Sequence, residues 1–263
     1  MTAAPAGGAP LVDTHCHVDL FPDPRGLIAR AERSRTYCIA VTNTPSVFEP
    51  MERLAGASRY VRAALGFHPE VVAARKREAT LLDELVPRAR YIGEIGLDYV
   101  TPSQGERALQ REVLSRIIEL SDAHGGQVLT VHSRRAAEDV VDAFGARFRG
   151  TWILHWYSGS AKALRRALSY GAFVSVNPAM VRSESALRWL RDVPRERLLT
   201  ETDGPFVSVE EIAAEPPAVV HALEGLARLF ETEVEDMQRL VFANFRAVLE
   251  RGPGVSPVGK EAI

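Results

Sequence analysis

Two of the seven histidines in this 263-residue chain stand one residue apart, in the run Leu11-Val12-Asp13-Thr14-His15-Cys16-His17. If Leu11 to His15 is a β-strand, period-two alternation turns His15 and His17 to the same face. Two neutral imidazoles side by side at a strand end chelate a borderline cation such as zinc. Surface His-x-His pairs are common without any function, so the pair gains meaning only if other segments supply further ligands. Gly66-Phe67-His68-Pro69, Gly93-Glu94-Ile95-Gly96-Leu97-Asp98-Tyr99, Val131-His132, Leu154-His155 and Glu201-Thr202-Asp203-Gly204-Pro205 all end apolar runs on a His, Glu or Asp. Two cations a few ångströms apart repel each other and need a negative bridge, for which Glu94 is the best-placed carboxylate. His15, His17 and Asp203 would complete the shell of one ion, and His132 and His155 would hold the second with room left for water. Such a pair of ions lowers the pKa of bound water to near 7 and neutralises charge on a phosphoryl or carbonyl oxygen. Glu94 and Asp203 are then the catalytic carboxylates, with Asp203 able to orient that water and shuttle its proton.

The neighbours of these residues have plainer readings. Glu201 lies on the same side as Asp203 but one layer deeper, which suits a buried partner better than a ligand. Asp13 sits two residues below His15 and is expected to orient a ligand through a hydrogen bond. Asp98 can fix its loop or touch substrate, and His68 can donate to a substrate phosphate. His124 and His221 fall in helical patterns and are expected to face solvent.

The elements that must position these groups alternate in type. Short apolar runs at Leu11–His15, Tyr37–Asn43, Val61–Phe67, Tyr91–Ile95, Gln127–His132, Trp152–His155, Ala172–Val176 and Leu198–Thr202 predict eight strands. Between them, Gln104–His124 carries apolar residues at the 3.6 period, and shorter helical patterns cover Arg135–Phe144, Ala161–Tyr170 and Ser183–Arg191. Gly145 and Gly171 stand where C-terminal caps belong. Eight strand–helix units predict an α/β fold, a (β/α)8 TIM barrel, whose chemistry sits at the C-terminal ends of the strands. Two further amphipathic stretches, Pro216–Phe230 and Val234–Glu250, are expected as extra C-terminal helices. One domain over residues 11–250 is expected, flanked by flexible tails at 1–10 and 251–263; no Gly-, Ser- or Pro-rich linker divides it.

With 46% hydrophobic residues the chain can bury a large core, and a net charge of −2 argues against a broad basic surface for nucleic acid. Bound divalent cations could still serve a nucleic acid substrate. Cys16 and Cys38 lie in apolar runs and read as buried thiols, in keeping with a reducing cytoplasm. The Ala-, Gly- and Pro-rich start has no signal-peptide pattern, and no apolar run is long enough to span a membrane. A soluble, cytoplasmic protein is expected.

Taken together, Asp13-Thr14-His15-Cys16-His17, Gly66-Phe67-His68-Pro69, Gly93-Glu94-Ile95-Gly96-Leu97-Asp98-Tyr99, His132-Ser133-Arg134, His155 with Ser158-Gly159, and Glu201-Thr202-Asp203 resemble the TatD family of metal-dependent deoxyribonucleases, within the amidohydrolase-like barrels. The resemblance runs in family order from residue 11 to about 205. It implies two divalent ions on His15, His17, Glu94, His132, His155 and Asp203, with zinc first and magnesium or manganese as alternatives. It implies a DNA substrate, single-stranded or trimmed from a 3′ end, contacted by His68 and Arg134. Divergent TatD-like proteins also serve in multi-gene anti-phage systems of the Qat type, which would add partner proteins.

Two departures stand out. Trp156-Tyr157 replaces the family's usual Cys-Phe, and either ring could stack on a base, worth roughly 1–3 kcal/mol, or simply pack. The family's Arg-Gly-Lys-x-Asn-Glu-Pro stretch after the Asp is absent; Val207 to Ile212 is short and acidic, with Glu215-Pro216 as a remnant. The ligand set alone also suits an amidohydrolase or an aminoacyl-tRNA deacylase. Asn177, Arg182 and the Trp156-Tyr157 pair are the expected discriminators. A largely non-catalytic subunit of a defence complex is the remaining alternative.

Overall fold

Eight parallel strands follow one another around a barrel: β1 (Leu11–Cys16), β2 (Thr36–Ala40), β3 (Val61–Ala63), β4 (Tyr91–Gly96), β5 (Val128–His132), β6 (Thr151–Leu154), β7 (Phe173–Val176) and β8 (Leu198–Thr200). The computed structural model describes residues 8–250. The expected C-terminal tail and residues 1–7 of the N-terminal one lie outside the described residues. Strands β1 to β3 form one ladder and β4 to β8 another. A parallel bridge between Leu65 and Ile92 joins them at one seam. At the other seam the last strand returns to the first: His17 N donates to Gly204 O at 2.8 Å, Asp203 N to His15 O at 2.8 Å, and Thr14 Oγ1 to Thr200 O at 3.1 Å. Beyond β8 the chain adds a short antiparallel hairpin, β9 (Ser208–Val209) and β10 (Ile212–Ala213).

Among the described residues ten helices surround this wall: α1 (Pro24–Arg33), α2 (Pro45–Ala55), α3 (Pro69–Val72), α4 (Leu82–Leu85), α5 (Gln104–His124), α6 (Ala137–Phe144), α7 (Ala161–Ser169), α8 (Glu184–Leu190), α9 (Val220–Leu229) and α10 (Val234–Glu250). Apolar periodicity marks α5 to α8 and α10 correctly. The expected helix over Pro216–Phe230 divides into a 3-10 turn, Pro216–Val219, and α9. Gly145 and Gly171 do lie at helix ends with positive φ, 58° and 89°. Strand β3 stops at Ala63, shorter than the expected Val61–Phe67. Beyond it the Thr42 hydroxyl takes over, donating to Ala64 O and accepting from Gly66 N, both at 2.9 Å.

Two apolar clusters hold the wall in place. The larger fills the barrel and the space under most helices; the smaller packs Leu27, Ile28 and Ala31 of α1 and Met51 and Ala55 of α2 onto β1 to β3. Cys16 and Cys38 are free thiols buried in that smaller cluster, as their apolar context predicts. Glu215, the remnant of the missing basic stretch, is spent on structure, accepting two hydrogen bonds from Arg30 of α1 at 2.6 and 2.8 Å. Among the described residues no helix is long and apolar enough to cross a membrane.

Candidate metal centre

Glycines let the strand carrying Glu94 approach its neighbour. A Cβ on Gly93 would lie 2.1 Å from Thr130 Cγ2, and one on Gly96, whose φ is 137°, would lie 2.0 Å from His132 O. Any side chain at either position would push β4 away from β5. With glycine there, the Glu94 carboxylate reaches the middle of the C-terminal mouth, 2% exposed, with His15, His17 and His155 equally buried beside it.

The two oxygens of Glu94 face different partners. Oε2 lies 3.3 Å from His15 Nε2 and 3.3 Å from His17 Nε2. Oε1 lies 2.7 Å from His132 Nδ1, 3.4 Å from His68 Nε2 and 3.7 Å from His155 Nε2. Asp203 Oδ1 completes the first side at 3.7 Å from His15 Nε2 and 3.6 Å from His17 Nε2, and reaches His155 Nε2 at 3.9 Å. Donor atoms around a tetrahedral ion with bonds of about 2.1 Å stand roughly 3.4 Å apart. Most of these spacings match that figure. His15 Nε2 and both ring nitrogens of His17 are also buried without a hydrogen-bond partner, an expensive state for polar atoms unless a ligand serves them. The chain therefore fits a metal on chemical grounds: His15, His17 and Glu94 form one candidate group, and His68, Glu94 and His132 another.

The far ring nitrogens fix the tautomers. His155 Nδ1 lies 3.0 Å from the Glu201 carboxylate and His132 Nε2 lies 2.8 Å from Asp98. A carboxylate accepts, so His155 Nδ1 carries a proton and Nε2 is left as its lone pair. His132 instead meets a carboxylate at both nitrogens, Glu94 at Nδ1 and Asp98 at Nε2, and its Nδ1 is free to ligate only once the proton there is lost. His15 Nδ1 is held by Thr130 Oγ1 at 2.8 Å. His68 is the reverse case: its Nδ1 accepts from Glu70 N at 3.2 Å at the start of α3, so in the neutral ring Nε2 bears the hydrogen. His68 thus faces the centre as a donor, which suits an anionic oxygen better than a cation.

Burial lowers the basicity of His15, His17, His132 and His155, and the neighbouring charges set where each ends. Burial and the adjacent His155 push His15 down to about 4. Burial is outweighed for His17, raised to about 10 by Asp203 and Glu94, and for His132, raised to about 9 by Asp98 and Glu94. His155 rises to about 8 through Glu201 and Asp203 despite its burial. Burial works to raise Glu94, but the surrounding histidines, His68 and His15 foremost, hold it well below the usual range.

The remaining expected residues separate into two groups. Glu201 is a buried partner: besides His155 it accepts from Trp156 N at 3.0 Å, Asn177 Nδ2 at 3.1 Å and the Ser175 hydroxyl. Asp13 ties the barrel seam, accepting from His15 N, Thr202 N and Thr202 Oγ1 at 3.1, 2.9 and 2.6 Å. Asp98 both fixes its loop, accepting from Val100 N at 2.8 Å, and holds His132. Arg134 is exposed beyond β5, and Trp156 is 38% exposed with its ring 6.3 Å from that of His155. Tyr157 is not presented to a ligand: it is 2% exposed, its hydroxyl donates to Ser160 O at 2.6 Å and its ring packs on Trp189. Asn177 is likewise fully buried, its Oδ1 accepting from Ala179 N and Met180 N, and Arg182 braces the hairpin through Ser208 O. Asn177 is thus not presented to a substrate, while Arg182 remains at the exposed edge. Thr130 and Phe206 carry no sequence signal of a site, yet Thr130 holds His15 and the Phe206 ring stands edge-on to His17 at 5.1 Å.

Comparison with known proteins identifies the family. The deoxyribonuclease TATDN3 of Homo sapiens is 27% identical over 259 residues, covering 91% of this chain and 94% of its own. The uncharacterized metal-dependent hydrolase YabD of Bacillus subtilis is 27% identical over 250 residues, covering 89% and 96%. Among solved structures, the TatD homologue YJJV of Escherichia coli K12 superposes with a TM-score of 0.81 at 22% identity, covering 90% of this chain and 97% of that one, so the barrel fold is shared. The family model described as TatD related DNase matches residues 12–250, and the chain belongs to that family.

Proposed function

We propose that this chain is a two-metal phosphodiesterase that cleaves DNA. One ion would rest on His15, His17 and Asp203, the other on His132 and His155, with Glu94 between them. The observation that carries this reading is the division of Glu94, with Oε2 serving two histidines and Oε1 facing others. Two divalent ions, zinc by the histidine-rich donor set and magnesium or manganese by phosphoryl chemistry, supply when bound an activated water and neutralise charge on the phosphoryl group. The chain's residues do the rest. Asp203 holds and accepts a proton beside the reacting phosphorus, and His68 directs its Nε2 hydrogen at a phosphate oxygen. Asp98 and Glu201 keep two histidines in the ligating tautomer.

The test is a nuclease assay on the purified chain, with and without chelator, beside His132→Ala and Asp203→Asn. Activity should vanish with chelator, return on adding divalent metal and fall steeply in both variants. Activity indifferent to chelation and to both substitutions rejects the reading. Inhibition by amino acid esters but not by mononucleotides would move the substrate to an acyl compound.

Metal uptake should also release protons. The raised values of His17, His132 and His155 mean that near pH 7 these rings hold protons until a cation displaces them. Apparent affinity should therefore rise from pH 6 to pH 9. Calorimetric titration of the metal-free protein in two buffers of different ionisation enthalpy would read the release as a difference in apparent heat; identical heats in both buffers would contradict it.

A further inference from the structure

Five large apolar side chains stand exposed among the described residues: Leu20, Val100, Trp156, Phe206 and Ile212. All five lie in segments that leave the C-terminal ends of strands, Leu20 after β1, Val100 after β4, Trp156 after β6, and Phe206 and Ile212 after β8. All five thus lie toward the barrel face that holds the candidate centre. Two members of the group are aromatic and adjoin the ligand histidines. Phe206, 60% exposed, meets the His17 ring at 5.1 Å and 87°. Trp156 meets His155 at 6.3 Å and 85°. His17, His15 and His155 lie between them as neighbouring rings, with centroids 5.2 and 3.6 Å apart.

Both aromatic residues are pinned to the catalytic set. Phe206 N donates to Asp203 O at 2.9 Å, and Trp156 N donates to Glu201 Oε1 at 3.0 Å, the carboxylate that also holds His155. The hairpin beside Phe206 turns through Glu210 and Glu211, both exposed and both at positive φ, 50° and 65°. Asn and Gly are the usual residues in such a two-residue turn. Two carboxylates there repel a run of phosphates passing over that edge.

We propose that Phe206 and Trp156 are stacking platforms that each take an unpaired nucleobase of the substrate strand beside the scissile phosphodiester. This rests on the phosphodiesterase reading above. Flat π-faces accept any base, which gives grip without sequence preference. Affinity gained in this way depends weakly on ionic strength, unlike affinity from many phosphate contacts.

The experiment compares the metal-loaded full chain with Phe206→Ala, Trp156→Ala and Phe206→Tyr. Each is assayed on a single-stranded oligodeoxynucleotide and on the same strand with abasic residues flanking the cleaved bond. Wild type should favour the base-bearing strand by about tenfold or more in kcat/KM, in line with base–aromatic stacking. That preference should collapse in both alanine variants and persist in Phe206→Tyr. Raising salt from 50 to 200 mM should cost wild type far less than the roughly 10³-fold of a protein making many phosphate contacts. Alanine variants that keep the wild-type preference, or that lower both strands equally, overturn the proposal. A wild type that cleaves both strands without preference also overturns it while leaving the phosphodiesterase reading intact. A wild type that cleaves neither strand rejects that reading and this proposal with it.

Discussion

Replacing Glu94 by Gln should lower kcat/KM by about 10³-fold or more while the barrel stays folded. Gln keeps the size of the side chain but loses its charge and one of the two acceptor oxygens now shared among His15, His17, His132, His68 and His155. An amide set among these rings turns N–H groups toward at least one side. Charge neutralisation at a transferring group is worth several kcal/mol, and each 1.36 kcal/mol is tenfold in rate. Elemental analysis of the purified variant should show fewer ions per chain than wild type. A variant that keeps its full metal content and more than a tenth of its activity would remove Glu94 from the role of bridge.

Glu201→Gln should cost 10- to 100-fold in metal affinity, the usual penalty for disturbing the partner of a ligating histidine. Glu201 accepts from four donors, and an amide can serve only some of them. Burial works to raise its pKa, but His155 pulls it below the ordinary value, so the side chain meets the imidazole as a carboxylate. The loss should appear in a metal titration of the variant and be milder in Glu201→Asp. Equal affinities in wild type and Glu201→Gln would reduce the residue to packing.

The convergence of His15, His17, Glu94, His132, His155 and Asp203 was legible in the sequence because a barrel maps chain order onto one ring of strand ends, so reading each apolar run to its last polar residue already gathers these side chains. Other features were hidden for physical reasons. Helices α1 and α2 do carry apolar residues at helical spacing, Leu27, Ile28 and Ala31 and then Phe48, Met51 and Ala55, but each is short, and Pro50 inside α2 reads locally as a helix breaker. The hairpin at 208–213 turns on two glutamates, residues that carry no turn signal. Thr130 meets His15 from 115 positions away, a pairing that no local pattern encodes. Trp156 and Tyr157 are adjacent aromatics with opposite fates: the turn at Trp156, φ 35°, sends one ring outward while Tyr157 enters the core against Trp189.

The seam between β1 and β8 has a consequence for how the protein is made. Thr14 and Thr200, 186 positions apart, clasp each other there, and the same two strand ends deliver His15, His17 and Asp203. A nascent chain exposes its paired histidines early, yet their facing carboxylates arrive only with β4 and with the last strand. On the two-metal reading, the histidines would be an incomplete chelate until the last strand closes the ring, and a chain truncated before residue 203 should emerge with a weaker grip on metal.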